Sequence, residues 1–136
     1  MSENNQYTIL IADDDPDLLD QLKIRLESKN YKILSASSHN EAAQIIAEKA
    51  FDLAIFDLVM EFQDSGFILS YKLKQKHPEK PVIILSSMVH ELNVQNQLTS
   101  QPDKAWLKAD AVIQKGVHFE ILLSEIERLL SYQKDN

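Results

Sequence analysis

The sequence predicts a single α/β domain built as a doubly wound, five-stranded parallel sheet with helices on both faces. Two observations carry that prediction, and a third sharpens it. Short apolar runs alternate five times with segments of helical period, which is how a parallel sheet wrapped by helices reads in sequence. A length of 136 residues suits one compact unit and leaves no room for a second of ordinary size. Two of the apolar runs also end in acids: Asp13-Asp14-Asp15 follows Tyr7–Ala12, and Asp57 follows Leu53–Phe56. If those runs are parallel neighbours, their acids meet at one edge of the sheet.

Each element has a local reason. The first strand, Tyr7 to Ala12, leads into a helix with Asp15 as N-cap and Pro16 at its first position. Leu18, Leu22 and Leu26 form the apolar stripe of that helix. Lys32 to Ala36 is the second strand, after which Ser38 and Glu41 have the spacing of a capping box and open a helix carrying Ala42, Ile45 and Ile46. Leu53 to Phe56 is the third strand. Gly66 precedes a third helix bearing Phe67, Ile68 and Tyr71, which ends near His77-Pro78. Pro81 introduces Val82 to Leu85, whose β-branched content fits a strand buried on both faces. Residues 88–108 are polar and weakly periodic and read as a short helix plus a loop. Ala111 to Ile113 is the fifth strand, and Phe119, Leu122, Leu123, Ile126, Leu129 and Leu130 line the last helix. The folded domain is expected over residues 5–132, with flexible termini at 1–4 and 133–136.

Composition narrows the function. A hydrophobic share of 44% allows a buried core, and a net charge of −7 without clustered Lys and Arg argues against a nucleic-acid surface. A protein partner fits better. The absence of cysteine removes disulfides and thiol chemistry and agrees with a reducing cytoplasm. The polar start is unlike a secretory signal, and every apolar run stops short of membrane-spanning length. The four His residues, at 39, 77, 90 and 118, lack metal-site spacing and read as surface or loop residues, while Trp106 reads as a packing anchor.

In a doubly wound sheet the functional crevice lies at the carboxyl ends of the strands. Four strands end there in charged or reactive residues: Asp13 and Asp14, Asp57, Ser86, and Lys115. Crowded carboxylates either raise their pKa values or hold a cation, and hard oxygen donors with room for water suit Mg2+. Together these groups fit phosphoryl transfer to a carboxylate, which needs a nucleophilic oxygen, a divalent ion, and fixed positive and hydrogen-bonding groups. Singly, each residue has an ordinary reading as a helix cap, strand end, turn or surface lysine. The joint pattern is what is specific.

The run Ile9–Pro16, the segment Phe56-Asp57-Leu58-Val59-Met60, Pro81 to Ser86, and Ile113-Gln114-Lys115 resemble receiver domains of two-component response regulators, in their stand-alone, chemotaxis-regulator-like form. The resemblance covers nearly the whole chain. It implies a flavodoxin-like sheet of strand order 2-1-3-4-5. It implies Asp57 as phosphoacceptor, with Asp14 on Mg2+ directly, Asp13 through water, and the Val59 backbone carbonyl as a further ligand. Ser86 would hydrogen-bond a phosphoryl oxygen, and Lys115 would pair with its charge. The donor would be a histidine kinase or phosphotransfer protein, with a small phosphodonor as another source. The chain would be a phosphorylation-dependent switch and not an enzyme, assisting its own phosphorylation and a slow dephosphorylation. With no DNA-binding or catalytic segment after the last helix, output is expected through contact with a downstream protein. A homodimer is left open.

Several positions depart from the family. Val112 stands where an aromatic switch residue is usual, and Gly116 follows the lysine in place of a cis-bonded proline. A cis bond before a non-proline residue costs ~3 kcal/mol, so Lys115 is expected to be aimed differently. Glu61 and Lys108 replace a common proline and glycine, and the stretch between Ser86 and Ala109 is long. Val59 and Met88, apolar where they would flank the phosphoryl group, predict slow self-dephosphorylation. Two other readings compete: a receiver-like scaffold that binds partners without phosphate, and a small haloacid-dehalogenase-like phosphatase with Asp13 as nucleophile.

Overall fold

The computed structural model describes residues 6–60, 65–87 and 109–134. Its elements run β1 (Thr8–Ala12), α1 (Pro16–Glu27), β2 (Lys32–Ala36), α2 (His39–Glu48), β3 (Leu53–Asp57), α3 (Ser65–Lys76), β4 (Val82–Ser86), β5 (Ala111–Gln114) and α4 (Phe119–Lys134). All neighbouring strands are parallel, in the order β2-β1-β3-β4-β5. The expected fold class and strand order are therefore the observed ones.

Side-chain alternation builds two cores, one on each side of the sheet. Leu10, Ala12, Ala54, Phe56, Val82 and Ile84 pack with α2 and α3 residues such as Ile46, Leu69 and Leu73. Ile9, Ile11, Leu53, Ile55, Ile83 and Leu85 pack with Leu19, Leu22 and Leu26 of α1 and Leu122, Ile126, Leu129 and Leu130 of α4. Both rows of β3 and β4 are buried, which is why those strands read as unbroken apolar runs. Truncating Ile55, which is fully buried in the middle strand, to Ala would cost about 2–5 kcal/mol.

Helices α1 and α2 start at their expected N-caps, while four local details depart from expectation. The Asp15 side chain accepts from the Asp17 and Leu18 amides at 3.0 and 3.4 Å, with Pro16 opening α1. Leu19, not Leu18, shares the buried face with Leu22 and Leu26; Leu18 is half-buried at its margin. Ser38 Oγ accepts the Glu41 amide at 3.1 Å, but the Glu41 carboxylate takes the Ser37 amide at 2.8 Å in place of the Ser38 amide a capping box would use. In α3 the buried residues are Ser65, Gly66, Leu69, Ser70 and Leu73, while Tyr71 is 49% exposed. Gly66 lies inside this helix and does not precede it.

At the amino edge of the sheet the acids are satisfied. Asp52 Oδ2 accepts the Thr8 amide at 2.8 Å, and Asp110 Oδ2 accepts the Val82 amide at 2.8 Å and pairs with Lys74 at 2.8 Å. The expected domain end at 132 falls inside α4, which continues to Lys134. Among the described residues no helix is long and apolar enough to cross a membrane. The expectations for residues 88–108, including Met88, Trp106 and Lys108, and for Glu61 and the first four residues lie outside the described residues.

Candidate functional site

The carboxyl edge is built by the register of the sheet. Ala12 pairs with Phe56, so the next residues, Asp13 and Asp57, leave adjacent strands side by side. Both continue the rows of Ile9 and Ile11 and of Leu53 and Ile55, which face α1 and α4. On β5 the row of Ala111 and Ile113 runs on to Lys115 in the same sense. Alternation thus sends all three charged side chains to one side of the sheet.

There they meet. The Lys115 ammonium donates to Asp57 Oδ2 at 3.0 Å and to Asp13 Oδ1 at 3.5 Å, and it lies 3.1 Å from Asp13 Oδ2. Asp13 Oδ1 also accepts the Asp15 amide at 2.8 Å, so the residue that caps α1 orients its neighbour in the site as well. Asp14 is exposed, and one carboxylate oxygen from each of Asp13, Asp14 and Asp57 falls within 4.8 Å of the others. The described residues contain no cis peptide, and Gly116 follows Lys115 at φ +90°. The expected re-aiming of Lys115 is not seen in its contacts: it reaches both acids without a proline after it.

Ser86 is buried at the end of β4, one residue beyond Leu85, the strand partner of Asp57. Its carbonyl accepts the Lys115 amide at 2.9 Å, tying the two strand ends together. Val59, two residues after Asp57, is 41% exposed, and its backbone amide lies where it favours the ionised Asp57 carboxylate. Val112 packs half-buried against the α2–α3 core.

The electrostatics leave the acids in excess. Burial raises the Asp57 pKa above the usual carboxylate range, the Lys115 hydrogen bond opposes that, and the Asp13 charge adds to it. Burial likewise raises Asp13, with the Asp15 amide and Lys115 working against it. For Lys115, burial acts to lower the pKa, but the bonds to Asp57 and Asp13 override it and hold the ammonium above its ordinary value. Three carboxylates against one ammonium leave a formal charge of 1 − 3 = −2. Asp13 Oδ2 is buried and accepts no hydrogen bond. A hard divalent cation fits that charge and these oxygen donors.

Two features escape a reading by motif. Gly66 approaches β3 so closely that a Cβ there would lie 2.8 Å from Leu58 Cα and 2.9 Å from the Asp57 carbonyl oxygen. Its amide donates to the Leu58 carbonyl at 2.9 Å. The signal available in sequence is a glycine at the start of a helix, in a chain with only two glycines. His39, expected at the surface, is 7% exposed, and its Nδ1 lies 3.2 Å from Ser65 Oγ. Its burial follows from packing between α2 and α3 that no local pattern announces.

Comparison with known proteins agrees with this geometry. The family model described as response regulator receiver domain matches residues 9–127. The transcriptional regulatory protein GlrR of Escherichia coli K12 is 34% identical over 125 residues, which are 92% of this chain and 24% of that protein. The sensory transduction protein BceR of Halalkalibacterium halodurans is 28% identical over 91% of this chain and 50% of its own length. The chain therefore spans a quarter to a half of these two relatives. Among solved structures, a CheY-like receiver domain protein from Methanospirillum hungatei superposes with a TM-score of 0.81 at 28% identity, covering 96% of this chain and 98% of that one. TrrA of Thermotoga maritima, solved in complex with Mg2+-BeF, gives 0.75 at 25% identity, covering 91% and 99%. Because the family match runs from β1 into α4 and takes in all three acids and the lysine of the pocket, this chain belongs to the response regulator receiver domains of two-component systems.

Proposed function

We propose that the chain is a phosphorylation-dependent switch that accepts a phosphoryl group on Asp57 with Mg2+ bound. The observation that carries this reading is the Lys115 ammonium, 3.0 Å from Asp57 Oδ2 and 3.1 Å from Asp13 Oδ2, beside an exposed Asp14. The donor is the phosphohistidine of a histidine kinase or phosphotransfer protein, or a small phosphodonor such as acetyl phosphate. A carboxylate oxygen of Asp57 attacks phosphorus. The new O–P bond forms as the donor's N–P bond breaks, and the imidazole leaves with the bonding pair and takes up a proton; from acetyl phosphate an O–P bond breaks and acetate leaves with the pair.

Asp14 would hold Mg2+ directly and Asp13 through water, with Asp57 and the Val59 carbonyl completing the protein's share. The chemistry that Mg2+ supplies there when bound is neutralisation of charge across the phosphoryl oxygens. Lys115 exchanges its bond to Asp57 for one to the phosphoryl group, and the Ser86 hydroxyl donates to another of its oxygens. Val59 is partly exposed and apolar, so it cannot hold an attacking water by a side-chain hydrogen bond. Self-dephosphorylation is accordingly slow. Val112 offers no ring to rotate, so output passes to a downstream protein without the aromatic switch usual in the family.

Incubation with acetyl phosphate and Mg2+ tests the proposal: the parent gains one phosphoryl group, and Asp57→Ala does not. A scaffold that signals without phosphate draws support from Val112 alone, and beryllofluoride binding with Mg2+ separates the two readings. A chain that binds neither is the scaffold.

A further inference from the structure

We infer that the buried His39–Ser65 pair positions the start of α3 against the end of β3, and that His39 is thereby a positioning residue for the cation site. The inference rests on the proposed function above, since it concerns how that site is held. His39 is the first residue of α2 and Ser65 the first residue of α3. First-turn side chains of surface helices ordinarily meet solvent, yet His39 is buried and Ser65 is fully so. Their contact, 3.2 Å from Nδ1 to Oγ, joins residues 26 apart in the chain. The tautomer decides which of the two donates.

The consequence lies one residue further on. Gly66 follows Ser65, donates its amide to the Leu58 carbonyl at 2.9 Å, and packs where even a Cβ would collide with Leu58 Cα and the Asp57 carbonyl. Leu58 in turn donates its amide to Leu85 of β4 at 2.9 Å. With so little clearance, a shift of Ser65 passes directly into the backbone at Asp57 and Leu58. The next residue, Val59, is the one whose amide favours the ionised Asp57 carboxylate and whose carbonyl is proposed as a cation ligand. His39 therefore fixes the start of α3 against α2, and through Gly66 it fixes the end of β3. Groups that orient cation ligands from outside the ligand set commonly affect affinity about as strongly as some ligands do.

Calorimetric titration with Mg2+ tests this, joined to hydrogen exchange at the Gly66 amide in the metal-free chain. Ser65→Ala, which removes one oxygen and keeps the helix start, is expected to weaken Mg2+ binding roughly tenfold. It should also speed exchange at Gly66. His39→Ala should do the same, and the double variant should lose less than the sum of the two single losses, because both variants remove the contact that the two residues share. His39→Asn, which can place a polar atom near the Nδ1 position, should recover most of the affinity. Ile46→Ala, which loosens α2 from the core side, should lower stability and leave Mg2+ affinity intact. Unchanged affinity in both single variants, or losses that add, would overturn the inference, as would an equal loss in Ile46→Ala. A parent that binds no Mg2+ would instead overturn the proposed function itself.

Discussion

The Lys115 ammonium lies 3.0 Å from the Asp57 carboxylate although 58 residues separate them, and the same ammonium lies 3.1 Å from Asp13 Oδ2. One cation thus serves two buried acids on adjacent strands. At the amino edge, Asp52 and Asp110 bond to strand amides, and Lys74 adds a charge partner to Asp110. At the carboxyl edge the negative charge is left in excess, and that excess is the basis of the proposed chemistry.

Removing Lys115 should therefore cost both rate and stability. Lys115→Met takes away the fixed positive group, and phosphorylation by acetyl phosphate is expected to slow roughly 100-fold. Leaving Asp13 and Asp57 without their hydrogen-bonded cation should lower folding stability by about 1–3 kcal/mol. Stopped-time phosphorylation assays and urea unfolding measure the two effects. An unchanged rate would count against the role given to Lys115.

Asp13 predicts a pH dependence whose sign can be worked out. Its folded-state pKa is raised, chiefly by burial, so the folded chain holds that proton more tightly than the unfolded chain does. The stabilising contribution is complete below the ordinary value of 3.8 and is lost as pH rises through the raised folded-state value. In metal-free buffer, Asp13→Asn should gain stability relative to the parent as pH climbs from 4 toward 7. Urea unfolding of both proteins across that range checks it. A difference that stays flat with pH would be contrary to this account.

Mg2+ should stabilise the parent by mass action. At a free concentration of 100 times Kd, the gain is about 2.7 kcal/mol. Asp14 offers an exposed oxygen to the cluster and has little to do with packing. Asp14→Ala should keep the parent's metal-free stability and lose most of the Mg2+ effect. Thermal unfolding with and without Mg2+ reads this directly, and equal shifts in parent and variant would remove Asp14 from the ligand set.

Val59 bears on lifetime. Val59→Asn would place a hydrogen-bonding side chain two residues after the acceptor, where it can orient water. Decay of the acyl phosphate should be faster in the variant. Following loss of the phosphorylated species after the donor is removed tests this, and an unchanged or slower decay would reject the explanation.

Much of this was legible in the sequence because the strands are buried on both faces. Leu53–Phe56 and Val82–Leu85 announce themselves as apolar runs, and the acids that end β1 and β3 mark the edge where the site lies. The amphipathic α4 was equally plain. Helix faces were less so. In α3, Phe67, Ile68, Leu69, Tyr71 and Leu73 offer apolar side chains around much of the helix, and the tight approach of Gly66 to Leu58 selects Leu69 and Leu73 as the buried ones. Leu18 and Leu19 present the same ambiguity in α1. The His39–Ser65 contact is purely tertiary: neither residue belongs to a motif, and only the packing of α2 on α3 brings them together.

The most direct measurement is the position of the phosphoryl group itself. The chain is treated with acetyl phosphate and Mg2+, the acyl phosphate is trapped with borohydride, and the modified residue is located by mass spectrometry. The account predicts label on Asp57, absent in Asp57→Ala and greatly reduced in Lys115→Met. Label on Asp13, or label undiminished when Asp57 is replaced, would contradict it.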